Sequence, residues 1–358
     1  MSIFGLAAVI LAGFIVLMWL LRRAATRSNV HESAKDMKVG LAGDTMLGRK
    51  VGARLAHEPV SSLFAPEVVA VAKEADLFLL NLECPISDRG EPWPDPTKPF
   101  FFRAPPAAVE VLHGLGVGCV TLANNHALDY GPDALIDTVT RLADAGISVV
   151  GAGVDEQDAR APAVLERGGL RVTIVGVTDH PADYAAAPGR PGVAYADLRD
   201  EVPSWLRDTV SGSHADVVIL SPHWGPNMVA EPVPHVRRAA VELIGAGATL
   251  IAGHSAHVFH GVEGAVLYDL GDFIDDYATN RQLRNDLGLL FLVTFDGSQP
   301  CELEAVPLAL DYCRTRLADP AENTWIVQRF IAACRAFGSD VTETDGRLVV
   351  DLRRCRGA

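Results

Sequence analysis

The sequence has few basic residues and no pattern of paired cysteines. Lysine and arginine number 31 against 45 acidic residues, which gives a net charge of −14. Proteins that bind nucleic acids need a basic face, so this balance argues against a nucleic-acid partner. Six cysteines in 358 residues, without paired spacing, exclude a disulfide scaffold. The hydrophobic content of 49% excludes a disordered chain.

A long apolar run stands at the start of the chain. Residues 3–21 contain no charged side chain and are followed by Arg22 and Arg23. A run of about 20 apolar residues matches one helical crossing of a membrane, so we predict an anchor over residues 1–25 and a linker over 26–36. The alternatives are a buried core helix, which would show a polar stripe, and a cleaved signal peptide, which would begin with basic residues.

Apolar strands alternate with helical patterns along the rest of the chain. Strands are predicted at residues 38–43, 77–83, 119–123, 148–151, 171–178, 216–221, 249–253 and 267–270. Helices are predicted at 132–145, 233–245 and 320–337, and an antiparallel hairpin at 288–310. This alternation predicts an α/β core with the sheet buried on both faces. The proline-rich stretch 91–106 predicts an ordered loop, lying either over a cleft or on the surface.

Polar residues of the types that bind metals follow almost every predicted strand. They are Asp44, Glu83, Asn124, Asn125, His126, His223, His254, His257 and Asp272. Singly, each has an ordinary explanation as a cap, a turn residue or a solvated strand end. Together they place carboxylates, amides and imidazoles at one sheet edge, where functional side chains of α/β proteins gather. This set suits zinc, manganese or iron and predicts two divalent ions in a hydrolytic centre.

Seven motifs occur in the order found in one known family. They are GDTMLGR from Gly43, NLE from Asn81, ANNHALDYG from Ala123, GAG from Gly151, HWG from His223, GHSAHV from Gly253 and YDLGDF from Tyr268. The chain thereby resembles the CapA (poly-γ-glutamate capsule synthesis) family, which is similar to the calcineurin-like metallophosphoesterases. The resemblance implies a four-layer α/β/β/α sandwich. The motif series sets this domain at residues 37–310 and leaves a helical extension at 311–358.

The resemblance also implies roles for individual residues. Metal ligands are expected at Asp44, Glu83, Asn125, His223, His254 and His257. Catalytic roles are expected for His126, Asp44 and His254, and substrate contacts for Arg49, Asn124 and Trp224. An arginine binds carboxylate or phosphate through two parallel hydrogen bonds, although a surface salt bridge is the ordinary alternative for Arg49.

Several positions depart from the family pattern. Met46 stands where the superfamily motif Asp-x-His has a ligand, and Asn227 stands where the family usually has glutamate. Asp272 and Asp155 both replace asparagine, and the charge added at Asp272 lies near the expected centre. Other histidines are interpreted as packing or surface residues, namely His57, His113, His180, His214 and His235, whereas His260 and Cys84 are candidates for lining the site.

Three functions are compatible with this pattern. The first is a membrane-anchored, metal-dependent hydrolase or transferase that acts on an anionic polymer, a phosphoester or a peptide. The family resemblance connects it with synthesis or export of a capsule polymer and implies capsule-synthesis subunits as partners. The second is a peptide Cα epimerase with imidazoles as acid and base, and the third is a non-catalytic assembly or export subunit. The side of the membrane stays open, because Arg22, Arg23 and Arg27 favour a cytoplasmic domain and capsule handling by relatives points outward.

Overall fold

The computed structural model of the protein describes residues 36–353. The predicted anchor and nearly all of the predicted linker lie outside this range, as do residues 354–358. Within residues 36–353, no helix combines the length and apolar character that a membrane crossing requires.

Strands and helices alternate through most of the described chain. The strands are β1 (Met37–Thr45), β2 (Leu77–Leu82), β3 (Val117–Thr121), β4 (Ser148–Val150), β5 (Ala152–Gly153), β6 (Ala163–Arg167), β7 (Leu170–Thr178), β8 (Gly192–Val193), β9 (Val217–His223), β10 (Leu250–Ala252), β11 (Val262–Glu263), β12 (Val266–Leu267), β13 (Asp272–Ile274), β14 (Leu287–Asp296), β15 (Gln299–Asp311), β16 (Arg314–Leu317), β17 (Val341–Thr344) and β18 (Arg347–Asp351). The α-helices are α1 (Arg49–Leu55), α2 (Pro66–Ala72), α3 (Ala108–Leu115), α4 (Gly131–Asp144), α5 (Glu156–Arg160), α6 (Ser204–Ser211), α7 (Pro234–Ala246) and α8 (Pro320–Arg335). Short 3₁₀ turns occur at Val60–Ser62 and Ala182–Tyr184.

Two main sheets are built from these strands. The large sheet has ten strands in the order β17-β18-β15-β14-β1-β2-β3-β4, with β13 also paired to β1 and β16 to β15. The small sheet has six strands in the order β11-β12-β10-β9-β7-β6, and β5 pairs with β8 separately. Strands β1 to β4 are mutually parallel, as are β7, β9, β10 and β12. The predicted mixed α/β fold is therefore confirmed, and so is the predicted hairpin, which forms β14 and β15.

The apolar core is divided among three main clusters. One lies between the large sheet and helices α1 to α4, as shown by Leu80 and Val120 beside Val111 and Leu135. The second contains side chains from both sheets and from helix α8. The third joins the small sheet to helices α6 and α7. Helices thus cover the outer face of each sheet, and the near-continuous apolar strands follow from burial on both faces.

The carboxyl ends of β1 and β2 meet those of β9 and β10 at one edge of the molecule. An isolated parallel bridge joins His223 to His254 there. Strand β13 reaches the same edge by pairing in parallel with β1, with Asp272 opposite Asp44. This approach requires glycine at position 43, because a Cβ atom there would lie 1.7 Å from the carbonyl oxygen of Gly271. The fold therefore gathers residues distant in sequence into one buried cluster.

The end of the chain differs from the predicted helical extension. Helix α8 is present, but strand β15 runs across the expected boundary at residue 310, and three further strands follow. Strands β16 and β18 both pair with β15, so this segment completes the large sheet. Ile326, Phe330, Leu348 and Val350 are buried in the core between the two sheets. The prediction missed these strands because they are short and their apolar residues gain a partner only when β15 is in place.

Candidate functional site

The carboxylate of Asp44 lies at the centre of a buried polar cluster. Its Oδ1 accepts a hydrogen bond of 2.7 Å from Nδ2 of Asn81 and lies 3.4 Å from Nδ1 of His254. Its Oδ2 lies 3.3 Å from Nδ1 of His257. Burial alone would raise the pKa of this carboxyl, but the adjacent imidazoles of His254 and His257 outweigh it and hold the pKa of Asp44 well below its usual range.

Glu83 and His223 come from different sheets and meet beside Asp44. Glu83 directly follows β2, His223 ends β9, and both are 0% exposed. Oε1 of Glu83 lies 3.7 Å from Nε2 of His223, and Tyr277 donates a hydrogen bond of 2.9 Å to Oε2. Burial and the charge of Asp44 raise the pKa of Glu83 to about 8. Burial and the neighbouring His180 lower the pKa of His223 well below its usual range.

The loop after β10 presents His254 and His257. Oγ of Ser221 lies 3.2 Å from Nε2 of His254, which leaves Nδ1 of that ring facing Asp44. His257 adopts a left-handed φ of 60°, which is strained for a residue with a side chain and typical of functional loops. Its Nδ1 lies 2.8 Å from Oδ1 of Asp272. Burial lowers the pKa of His257, but Asp272 and Glu83 reverse this effect and raise it well above the usual value.

Two groups of potential ligands share Asp44. One joins it to Glu83 and His223, the other to His257 and Asp272, and within each group the ligand atoms lie within 4.8 Å of one another. Buried atoms without a hydrogen-bond partner in residues 36–353 include Oδ2 of Asp44, Oε1 of Glu83, both ring nitrogens of His223, Nδ1 of His254, Oδ2 of Asp272 and Oδ1 of Asn125. Buried polar atoms normally have partners, and a buried unpaired carboxylate is costly. The cluster can therefore hold a metal ion.

A histidine–aspartate pair lies beside this cluster. Nδ1 of His126 is 2.6 Å from Oδ2 of Asp129, and the ring stacks on Phe102 with a centroid distance of 3.9 Å. Asp129 is 0% exposed and also binds Nζ of Lys98 at 3.0 Å and the hydroxyl of Tyr184 at 3.1 Å. Burial lowers the pKa of His126, and the adjacent Asp129 carboxylate partly opposes this. The aspartate orients the imidazole and leaves its Nε2 for chemistry.

A cavity of ≈ 350 Å³ opens over the cluster. It is lined by residues of several loops, including Arg49, Phe100, His126, Asn227, His257 and Tyr277. The proline-rich stretch 91–106 therefore contributes Phe100 and Phe102 to the cavity lining. This agrees with the interpretation that the loop lies over a cleft. The guanidinium group of Arg49 lies at the rim of the cavity. Its Cζ lies 5.5 Å from the ring centroid of Phe100, and its Nη2 lies 3.0 Å from Oδ1 of Asp276.

Two expected substrate contacts are not available to a ligand. Asn124 is 0% exposed and its amide group binds Oδ1 of Asn81, the carbonyl of Leu82 and the N–H of His126 at 2.9–3.0 Å. Trp224 is 2% exposed and donates a hydrogen bond of 2.9 Å to the carbonyl of Tyr268. The structure corrects both predictions, because these buried side chains have their hydrogen bonds within the protein. Asn124 positions His126, and Trp224 belongs to the outer core of the small sheet.

The other expected site residues lie together. Asp44, Glu83, His223, His254 and His257 form one cluster, Asn125 precedes His126 on the same loop, and His126 and Arg49 line the cavity.

Several residues of the site were missed or set aside. Asp129 follows His126 by three residues within the motif ANNHALDYG, so the sequence contains the spacing that could have indicated this pair. Tyr277 gave no signal, because its contact with Glu83 depends on the tertiary structure. His180 was interpreted as a packing or surface residue, yet its ring centroid lies 5.0 Å from that of His223. Cys84 is fully buried, and burial raises the pKa of its thiol to about 12, which disfavours the thiolate form.

Two solved structures match this chain at low sequence identity. A hypothetical protein from Thermus thermophilus is 16% identical, with a TM-score of 0.44, and the match covers 76% of this chain and 98% of that one. The calcineurin-like phosphoesterase YfkN from Bacillus subtilis is 12% identical, with a TM-score of 0.38, and the match covers 85% and 99%.

The sequence is more closely similar to known proteins. A probable polyglutamine synthesis accessory protein of Mycobacterium tuberculosis is 35% identical over 308 residues, covering 79% of this chain and 80% of the relative. The PGA biosynthesis protein CapA of Bacillus subtilis is 29% identical, covering 68% and 65%. The capsule biosynthesis protein CapA of Bacillus anthracis is 28% identical, covering 77% and 68%. Residues 38–277 match the family described as bacterial capsule synthesis protein PGA_cap. The protein belongs to the PGA_cap family.

Proposed function

We propose that this protein is a metal-dependent hydrolase or transferase that serves the production of an anionic, polyglutamate-type capsule polymer. The supporting observation is the cluster around Asp44, where carboxylate, imidazole and amide atoms are buried together without hydrogen-bond partners among residues 36–353. A bound cation would stabilise such a set by pairing with its buried oxygen and nitrogen atoms. The names of relatives in Mycobacterium and Bacillus supply the connection with polyglutamate and capsule synthesis.

The proposed centre holds two divalent ions of zinc, manganese or iron. Its proposed ligands are Asp44, Glu83, Asn125, His223, His254 and His257. When bound, such ions polarise a scissile phosphoryl or amide bond and lower the pKa of an attacking water. Because this ligand set contains oxygen and nitrogen atoms only, it suits borderline divalent ions and not soft ones. We also propose that the two sheets and their covering helices form the four-layer sandwich of the metallophosphoesterases. The cluster of potential ligands at the sheet edge supports this proposal.

His126 is the proposed proton donor to the leaving group. It lines the cavity, and the hydrogen bond between its Nδ1 and Asp129 orients Nε2 for proton transfer. Its neutral form is favoured by burial, and the aspartate charge brings its pKa back toward the working range. A group of this kind contributes about 10²- to 10⁴-fold to a rate.

Arg49 is the proposed contact for an anionic substrate group. Its guanidinium lies at the cavity wall over the rings of Phe100 and Phe102, which restrict its orientation. Asp276 binds it from one side at 3.0 Å. A guanidinium has five N–H donors, so this pairing leaves donors for a carboxylate or phosphate of the substrate.

We further propose a single-pass membrane anchor at residues 1–25, in association with other subunits of a capsule-synthesis complex. Support comes from the length of the uncharged run. The arginines that follow it favour a cytoplasmic catalytic domain. A reporter fused to the carboxyl terminus, which reads out cytoplasmic or external exposure, tests this side of the membrane. External exposure would contradict the proposed orientation.

Metal analysis of the full-length protein tests the catalytic proposal. We expect about two equivalents of metal per chain, lost in Asp44→Ala and His254→Ala and kept in His113→Ala, an exposed control. Hydrolysis of a phosphodiester probe and a γ-glutamyl anilide probe should identify the scissile bond, with activity lost on chelation and restored by Mn²⁺. A parent protein without metal would overturn the proposal. Activity that persists after chelation would favour histidine acid–base chemistry, and normal polymer production by metal-free variants would favour a non-catalytic subunit.

A further inference from the structure

Met46 directly follows strand β1 and stands where the superfamily motif Asp-x-His has a ligand. Its side chain is 0% exposed and belongs to the apolar cluster beneath helices α1 to α4. Its sulfur atom accepts a hydrogen bond of 3.1 Å from the N–H of Gly48. A thioether is a soft ligand and does not suit manganese, which binds oxygen ligands. Met46 therefore does not supply the ligand that this motif position has in the superfamily.

Asp272 is brought to that side by the backbone. Strand β13 pairs with β1 in parallel, with Asp272 opposite Asp44. The N–H of Asp44 donates a hydrogen bond of 2.9 Å to the carbonyl of Gly271, and the lack of a side chain at Gly43 permits this close approach. The position of the carboxylate is thus set by the sheet itself and not by a mobile loop.

The side-chain distances match those between ligands of one ion. Nδ1 of His257 lies 2.8 Å from Oδ1 of Asp272 and 3.3 Å from Oδ2 of Asp44. Ligand atoms that each bind an ion at about 2.0–2.2 Å lie roughly 2.8–3.6 Å apart in octahedral or tetrahedral arrangements. Oδ2 of Asp44 and Oδ2 of Asp272 are both buried without a hydrogen-bond partner in the described chain.

The charges around this group also favour a cation. Asp44 and Asp272 are 1% and 2% exposed, and His257 is the single cationic side chain that contacts both within residues 36–353. Arg49 at the cavity pairs with Asp276, and Lys98 pairs with Asp129. Two buried carboxylates beside one imidazole are costly unless a further positive charge is present.

We infer that Asp272 is a metal ligand, which completes a site with Asp44 and His257 in place of the ligand that Met46 does not supply. This inference rests on the proposed metal centre and adds a residue to it. Two carboxylates and one imidazole form an oxygen-rich site, which favours Mn²⁺ or Fe²⁺ over softer ions.

Titration of the metal-free full-length protein with MnCl₂ tests this inference. Isothermal titration calorimetry and electron paramagnetic resonance of bound Mn²⁺ count the sites and report whether two ions are coupled. We expect two sites in the parent protein. In Asp272→Asn, which keeps the shape and removes the charge, affinity at one site should fall at least about 10- to 100-fold, with loss of the coupled signal. Asp276→Asn is the matched control, because it removes a buried carboxylate outside the ligand group.

The outcomes separate this inference from the proposed function. Two unchanged sites in Asp272→Asn would overturn the inference and leave the proposed metal centre intact. Equal weakening in Asp272→Asn and Asp276→Asn would also overturn it, because the effect would then be one of general charge. No binding in the parent would overturn both. If Asp272→Asn does not fold, as judged by circular dichroism, Asp272→Ser takes its place and the same criteria apply.

Discussion

Nδ1 of His126 lies 2.6 Å from Oδ2 of Asp129, and the same carboxylate accepts a hydrogen bond of 2.6 Å from the N–H of Phe102. The ring of Phe102 stacks on the ring of His126, so one aspartate fixes both partners of the stack. His126 and Asp129 lie on the short segment between β3 and helix α4. Of these two residues, His126 lines the cavity and Asp129 does not. This arrangement makes Asp129 a positioning residue for His126.

Asp129→Asn should lower kcat by about 10²-fold or more and change KM little, because proton donation by His126 acts in the transition state. Loss of the carboxylate charge should lower the pKa of His126 further, so the alkaline limb of the pH–rate profile should move to lower pH. Steady-state kinetics with the phosphodiester probe across pH give both readouts. Asp137→Asn, which removes a buried carboxylate in helix α4 away from the cavity, is the control. An unshifted pH profile would contradict the positioning role.

Asn124→Ala should destabilise the protein. The change leaves Oδ1 of Asn81, the carbonyl of Leu82 and the N–H of His126 without their buried partner. Each unsatisfied buried group costs about 1–3 kcal/mol, so we expect a loss of roughly 2–4 kcal/mol in the free energy of unfolding. Denaturant unfolding measures it, with Asn323→Ala in helix α8 as a control. A variant of Asn124 as stable as the parent, but with a raised KM, would restore the substrate-binding prediction.

Buried His260 should make stability depend on pH. Burial lowers its pKa to about 4, whereas an unfolded histidine has a value of 6.5, so the unfolded state binds more protons between these values. Stability from this residue is therefore complete above about pH 6.5 and lost as the pH falls toward 4, by about 3 kcal/mol. His260→Gln retains a donor for the carbonyl of Val229 and should flatten this dependence. Denaturant unfolding at pH 7 and pH 4.5 measures this pH dependence, and the exposed His113→Gln is the control. Equal pH dependence in the parent and in His260→Gln would show the prediction to be wrong.

Chelation should lower the thermal stability of the protein, and added Mn²⁺ should restore it. A ligand at a hundred times its Kd stabilises the folded state by about 2.7 kcal/mol, which corresponds to a Tm rise of roughly 4 °C for a domain of this size. His223→Ala should respond less, because both ring nitrogens of His223 lack other partners in the described chain. Differential scanning fluorimetry with and without chelator gives the shifts. Identical responses of parent and variant would exclude His223 as a ligand.

Arg49→Ala should raise KM for an anionic substrate about tenfold or more, because hydrogen bonds to charged groups contribute about 1.5–3 kcal/mol. Binding of an uncharged analogue should change little. Arg54→Ala on the same helix is the control, since Arg54 pairs with Glu58 and lies outside the cavity lining. Kinetics with a charged and a neutral probe separate the two cases. Equal losses for both probes would indicate a structural role for Arg49.

The local pattern of the sequence predicted the elements that position the site. Strand β9, whose residues are all buried, is a near-continuous apolar run that ends in His223, and β2 is similar up to Glu83. Burial on both faces imposes this pattern, so the strands and the polar residues that follow them were recognisable. The motif order added the family, which the match over residues 38–277 confirms.

What the sequence by itself determined is therefore the α/β alternation, the family and the polar residues at the strand ends. Only the tertiary structure decided which of these residues meet and which are buried. Asp272 faces Asp44 because β13 pairs with β1, and Asn124 and Trp224 lie inside the core, where their polar atoms are satisfied. Strands β16 and β18 join the large sheet through pairing with β15. Local apolar periodicity encodes each element, but the pairing of distant strands and the burial of each side chain depend on contacts formed by the whole chain.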